Sequence, residues 1–182
     1  MRIFISGGCK NGKSTYAQSL VGAAPCRPLY YIATMAAVDD EDKERITRHQ
    51  AERRGMGFIT IEQPRDIEDI LNKCDHSGSF LLDSLTALLA NEMFSPKGDF
   101  DGNAYQRVAN GLTQVLNQIQ NIVIVSDFIY GDAALYDPLT EVYRKSLAVL
   151  DRLAAAQCDV VLEAAYTQII THKGGQVTNA IS

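Results

Sequence analysis

Long apolar runs are missing from this sequence, and no stretch approaches the ~18 residues that a bilayer span requires. Nor does the chain open on a charged segment followed by an apolar one, so the expectation is a cytoplasmic protein with no membrane span. An excess of positive charge is also missing. With 17 Lys and Arg against 22 Asp and Glu the formal charge is -5, which argues against non-specific nucleic-acid binding, since that draws on a positive field. A pocket for a single nucleotide stays compatible if its positive charge is local. Cysteine is scarce and unpatterned. Cys9, Cys26, Cys74 and Cys158 show no C-x-x-C spacing and no companion histidine cluster, which disfavours zinc and disulfide frameworks and favours free thiols. No internal repeat or linker interrupts the chain, so its 182 residues read as one domain, with a polar tail from Lys173 to Ser182 expected to be disordered.

What is present is concentrated at the start. Arg2 to Ser6 is a short apolar strand, and it runs into Gly7-Gly8-Cys9-Lys10-Asn11-Gly12-Lys13-Ser14, then into a helix-like stretch from Tyr16 to Val21. The turn fits G-x-x-x-x-G-K-[ST], between strand and helix, where a phosphate-binding loop belongs. A polyphosphate needs several backbone N–H groups converging on it, a lysine ammonium, and a hydroxyl for Mg²⁺. Gly7, Gly8 and Gly12 permit the turn, Lys13 supplies the charge and Ser14 the hydroxyl. Nucleotide chemistry is therefore the leading expectation, over a glycine-rich connection with a chance lysine.

Further along, Leu29 to Ala33, Phe58 to Ile61, Ser79 to Asp83, Ile122 to Ser126, Val160 to Ala164 and Gln168 to Thr171 read as strands. Helical patterns fall at Asp66–Lys73, Leu85–Phe94, Tyr105–Gln118 and Leu139–Gln157. On the last of these, Leu139, Val142, Tyr143, Leu147 and Leu150 recur at helical spacing and are expected in the core. The stretch Asp39–Arg54 has good helix formers, acids first and bases last, yet almost no apolar stripe, so it is expected to project, line a site or meet a subunit. Alternating apolar strands and helices predict an α/β fold, a phosphate-loop NTPase with a mostly parallel sheet and helices on both faces. Sites in such folds lie at the carboxyl ends of the strands, which singles out the loop, Thr34, Glu62, Asp83 and Asp127.

Two constellations carry chemistry. Asp83 closes an apolar strand, which suits a carboxylate on the Mg²⁺ side opposite Ser14; the alternative is an N-cap for the helix that follows. His49 lies between Arg45 at i−4 and Arg53 at i+4, so on a helix the three share one face. Such a group could attack a phosphate whose oxygens the arginines neutralise, or it could simply decorate a charged surface. Asn72-Lys73-Cys74-Asp75 spells a guanine-reading N-K-x-D, but it ends a short helix and does not follow a buried strand, so it is read as chance.

Taken together the residues resemble the bifunctional adenosylcobinamide kinase/adenosylcobinamide-phosphate guanylyltransferase family of cobalamin biosynthesis. The likeness runs from Ile3 to about Phe94 through Gly7-Gly8, Gly12-Lys13-Ser14, Tyr31-Ile32-Ala33-Thr34, Asp40-Glu41, Arg45-Ile46, His49, Arg53, Thr60, Glu62, Pro64, Leu82-Asp83-Ser84-Leu85-Thr86 and Asn91. It implies a RecA-like sheet and a homo-oligomer, a trimer, acting on a corrinoid with GTP, ATP and Mg²⁺. It also implies that His49 takes the α-phosphate of GTP and passes GMP to adenosylcobinamide phosphate, the same enzyme having first phosphorylated adenosylcobinamide. The implied nucleotide contacts are Gly7, Gly8, Cys9, Lys10, Asn11, Gly12, Lys13 and Ser14; Thr34, Met35 and Ala36; Gln50, Ala51, Glu52 and Arg53; Glu62; and Asp83, with Ser14 and Asp83 on the metal. The second half departs. The family's strand-end Asn-Glu-Val-Gly reads here Ser126-Asp127-Phe128-Ile129-Tyr130-Gly131, its tryptophan before Thr60 is Phe58, and a late-helix asparagine is Asp151. Asp127 and Asp132 are the candidates to replace the missing glutamate. A phosphate-loop kinase of another small alcohol, and a nucleotide-binding regulatory subunit without turnover, are the competing readings.

Overall fold

The structure is a computed structural model, and it describes residues 1–36, 47, 55–96 and 98–175. Seven strands form one sheet: β1 (Arg2–Gly7), β2 (Leu29–Ala33), β3 (Phe58–Glu62), β4 (Ser79–Asp83), β5 (Ile122–Asp127), β6 (Val160–Ala165) and β7 (Gln168–Lys173). Their order is β3-β2-β4-β5-β1-β6-β7. Every pairing is parallel except the closing β6–β7 hairpin. The central strands are apolar on both faces, as a sheet covered on both sides requires. On β1, Phe4 faces one core, while Ile3 and Ile5 face the other.

One face is covered by α1 (Lys13–Ala23), which buries Ala17 and Val21 against Ile3, Ile5, Leu81, Val123 and Val125. The other carries α2 (Leu85–Met93), α3 (Ala104–Gln118), α4 (Pro138–Gln157) and a 3-10 turn at Ile67–Asn72. Helix α3 buries Ala104, Val108, Leu112, Val115 and Leu116, one stripe at helical spacing. Gly111 lies on that stripe because the 3-10 turn presses on it: a methyl there would meet Ile67 Cγ2 at 3.0 Å and the Glu68 carboxylate closer still.

The short helix expected at Asp66–Lys73 is present as a 3-10 helix over Ile67–Asn72, whose buried Ile67 and Ile70 lie at the i,i+3 spacing that suits three residues per turn. One expectation needs correcting. Leu139 and Val142 are not core. They are 48% and 37% exposed, since the first turns of α4, capped by Asp137 onto the Leu139 and Thr140 amides, overhang the layer that Leu147 and Leu150 reach. The expected polar helix at 39–54 lies, but for Thr47, outside the described residues. No helix among the described residues is long and apolar enough to cross a membrane.

Candidate active site

Parallel register brings four strand ends together. Gly7 at the end of β1 pairs with Asp127 at the end of β5, Val125 of β5 pairs with Asp83 at the end of β4, and Asp83 pairs with Ala33. The chain leaves β1 through a tight turn and enters α1 at Gly12, whose φ of 86° lies in the left-handed region that glycine adopts without strain. Gly12 brings no capping side chain to α1, although Asn11 Oδ1 accepts the Lys13 amide at 3.3 Å, and the positive end of the helix faces the loop. Gly8, Cys9, Lys10 and Gly12 are exposed, leaving the loop backbone open. Asn11 braces it from below, donating to the Ala164 carbonyl of β6.

Lys13 is buried at the centre of this ring. Its ammonium donates to the Gly8 carbonyl at 2.9 Å and pairs with Asp127 Oδ1 at 2.5 Å. One helical residue on, the Ser14 hydroxyl donates to Asp83 Oδ1 at 3.3 Å, and the Tyr31 hydroxyl holds Asp83 Oδ2 at 2.6 Å. Ser84, not Asp83, caps α2 by accepting from the Ala87 amide, which removes the capping role as the reason for Asp83. A hydroxyl and a carboxylate side by side are hard oxygen donors, the set that Mg²⁺ takes together with phosphate oxygens and water.

The flanking residues are tied to this centre. Thr34 is fully buried; its Oγ1 donates to the Ser84 carbonyl and accepts the Ser84 amide, both at 2.7 Å. Asn91 Nδ2 reaches from α2 to the Thr34 carbonyl at 2.7 Å and the Pro64 carbonyl at 3.1 Å, joining the exits of β2 and β3. Thr86 Oγ1 accepts the Asp127 amide at 2.7 Å and so fixes the strand end that faces Lys13. Tyr31, Thr86 and Asn91 were not among the expected site residues. A phenol in a buried strand needs a polar partner, and that was the signal available for Tyr31. Met35 and Ala36 follow Thr34 at the same edge, half-buried. Glu62 also ends its strand at this edge, but β3 is the outer strand, separated from β1 by β2, β4 and β5, and Glu62 is exposed there. His49, Gln50, Ala51, Glu52 and Arg53 lie outside the described residues.

Behind Asp127, α4 carries Asp151, which is 3% exposed and accepts from the Tyr130 hydroxyl at 2.8 Å. Burial pushes its carboxyl up to about 6; the hydroxyls of Ser126 and Tyr130 oppose that rise and the Asp127 charge adds to it. Asp132 is bound instead to Arg144, at 2.8 Å, and to the Tyr136 hydroxyl at 2.9 Å.

A loop wrapped on a helix N-terminus, with a lysine inside and a hydroxyl–carboxylate pair beside it, is built for a nucleoside phosphate. The model of the cobinamide kinase / cobinamide phosphate guanyltransferase family matches residues 3–167. The chain belongs to this family. Among its curated members, a bifunctional adenosylcobalamin biosynthesis protein of Escherichia coli K12 is 29% identical over 125 residues, covering 68% of this chain and 66% of the relative. The protein of the same name from Salmonella typhimurium LT2 is 31% identical over 110 residues, covering 60% and 59%. The matched stretch thus spans less than two thirds of either relative's length. Among solved structures, a KaiC-like protein of Pyrococcus horikoshii OT3 superposes with a TM-score of 0.54 at 10% identity, covering 100% of this chain and 83% of that one. The RadB recombinase gives 0.50 at 12%, covering 99% and 84%. These likenesses speak for the fold: the family's site sits on a phosphate-loop NTPase sheet of RecA-like type.

Proposed function

We propose that the protein phosphorylates adenosylcobinamide and then transfers GMP from GTP to adenosylcobinamide phosphate, the two activities that give its family its name. The observation that carries this reading is the Lys13–Ser14–Asp83 arrangement at the mouth of the loop. It puts a positive charge, a helix N-terminus and a carboxylate suited to the metal side next to one another. In the kinase step the nucleoside triphosphate lies along the loop, Gly7 to Ser14, with Thr34, Met35 and Ala36 beside it. Lys13 and the amides of α1 oppose the charge that grows on the transferring phosphoryl group. Ser14 and Asp83 would hold Mg²⁺, which when bound neutralises phosphate oxygens.

In the guanylyl step a neutral ring nitrogen of His49 bonds to the α-phosphorus of GTP as the bond to pyrophosphate breaks. A phosphate oxygen of the corrinoid then displaces the histidine, giving adenosylcobinamide-GDP. Arg53 and its neighbours Gln50, Ala51 and Glu52 would attend the nucleotide here, with Glu62 at the far end of the same edge. The role of His49 rests on the resemblance of the Arg45, His49 and Arg53 stretch to the family. A trimer in the cytoplasm, with ATP or GTP as phosphate donor, completes the proposal. It is tested by incubating the protein with adenosylcobinamide, ATP, GTP and Mg²⁺ and following corrinoid masses. Sequential appearance of the phosphate and the GDP ester supports it; no change in corrinoid mass contradicts it.

A further inference from the structure

Several acids lie at or near the strand ends that meet the phosphate loop, and the structure allows them to be compared. Asp132 is committed to Arg144 and Tyr136, and its side chain is 51% exposed on the loop after β5. Asp151 is buried behind the strand. Asp83 is held by Ser14 and Tyr31 on the metal side. Glu62 stands on the outermost strand. Asp127 differs from all of these. It ends β5, which lies between β1 and β4, so its side chain comes between the phosphate loop and Asp83. That side chain is 23% exposed and meets the Lys13 ammonium at 2.5 Å. Its amide is pinned by Thr86, and the next amide, that of Phe128, donates to the Gly7 carbonyl at 2.9 Å. The carboxylate therefore stands on a rigid strand end, on the lysine that a triphosphate must claim.

Resting on the kinase reading above, we propose that Asp127 is a catalytic carboxylate of this chain: it holds Lys13 until a nucleoside triphosphate draws the lysine away, and then takes the proton of the acceptor hydroxyl. The exchange follows from charge. The phosphates offer Lys13 a stronger partner and so free the carboxylate to accept a hydrogen bond from the acceptor hydroxyl. In the step itself the hydroxyl O–H bond breaks toward Asp127, the hydroxyl oxygen bonds to the γ-phosphorus, and the bond to the leaving nucleoside diphosphate breaks. The proton then leaves Asp127 for solvent. The guanylyl step has a phosphate oxygen as its acceptor, already ionised, and needs no such base.

The test compares wild type, Asp127→Asn, Asp127→Glu and Asp132→Asn in two assays: phosphorylation of adenosylcobinamide from ATP, and guanylyl transfer from GTP to supplied adenosylcobinamide phosphate. Binding of a fluorescent non-hydrolysable nucleotide is measured alongside. For Asp127→Asn the kinase kcat is expected to fall about 100-fold, at least tenfold further than the guanylyl rate, with nucleotide binding as tight as in wild type or tighter. Asp127→Glu restores part of the rate, and Asp132→Asn stays within about threefold of wild type. A kinase rate in Asp127→Asn within about threefold of wild type, or equal losses in the two assays, overturns the proposal. If wild type leaves adenosylcobinamide untouched, the function proposed above fails, and Asp127 is judged on ATP hydrolysis with water as the acceptor. A fall of about tenfold or more in Asp127→Asn then supports its role, and an unchanged or undetectable hydrolysis overturns it.

Discussion

Lys13 Nζ stands 2.5 Å from Asp127 Oδ1, so the lysine of the phosphate loop already has a counter-ion before any nucleotide arrives. Removing Lys13 therefore does two things: it deletes a positive charge from the phosphate site and leaves a carboxylate there unopposed. Lys13→Ala is expected to lower kcat/KM by about 10²- to 10³-fold, the scale for losing one preorganised charge or donor. It should also weaken nucleotide binding. Adding Asp127→Asn in the Lys13→Ala background should recover part of that binding, a coupling that titration calorimetry on the four proteins of the cycle would measure.

Asp83 connects Ser14 on the loop with Tyr31 on β2. If it serves the metal side, Asp83→Asn raises the Mg²⁺ concentration needed for half-maximal turnover, and Tyr31→Phe, which frees the carboxylate to rotate, raises it by about tenfold. Turnover titrated with Mg²⁺ at saturating nucleotide checks both. An unchanged Mg²⁺ requirement in Asp83→Asn would leave the carboxylate a structural role only.

Asp151 gives a pH signature of stability. Its carboxyl is raised from 3.8 to about 6, chiefly by burial, so the folded state binds a proton more tightly than the unfolded chain does. Such a group favours folding most below the unfolded value, and stability drains away as pH rises from about 4 through about 6. Above that range the carboxylate is buried and charged. Asp151→Asn should accordingly stabilise the protein at pH 7.5 by up to about 3 kcal/mol, since two units correspond to about that much, and gain little at pH 4. Urea unfolding of the two proteins at both pH values makes the comparison. Equal stability differences at the two pH values would show that the buried charge is not the cause.

Asn91 clamps two backbone carbonyls that close the β2 and β3 exits. Asn91→Ala leaves both without that donor, at a cost of about 1–3 kcal/mol if neither finds water. Because one of them belongs to Thr34, the variant should also raise the KM for nucleotide more than it lowers kcat. Urea unfolding and steady-state kinetics separate the two effects.

Much of this arrangement is legible in the order of the residues alone. The strand, glycine turn and helix around Gly7 to Ser14 announce themselves because backbone freedom, charge and hydroxyl fall at fixed short spacing. Asp83 is legible as the last residue of an apolar strand. What the chain conceals is held at long range. Tyr31 meets a partner 52 residues on, Thr86 one 41 residues on, and Asn91 reaches back 57 residues. No local pattern encodes those distances; they follow from strand order. Leu139 and Val142 mislead for a related reason, since helical periodicity says which residues share a face but not where the opposite layer ends. The choice between Asp127 and Asp132 is half legible: the strand-end position singles out Asp127, but the partners that commit Asp132 to Arg144 and Tyr136 show only in the structure.

The measurement that tests the account most directly is the intact mass of the protein after incubation with GTP and Mg²⁺, for wild type and His49→Ala. The account predicts a GMP-sized, acid-labile adduct on wild type, absent from the variant, which disappears from wild type when adenosylcobinamide phosphate is added. A folded, GTP-binding protein that forms no adduct and does not convert adenosylcobinamide phosphate would contradict it.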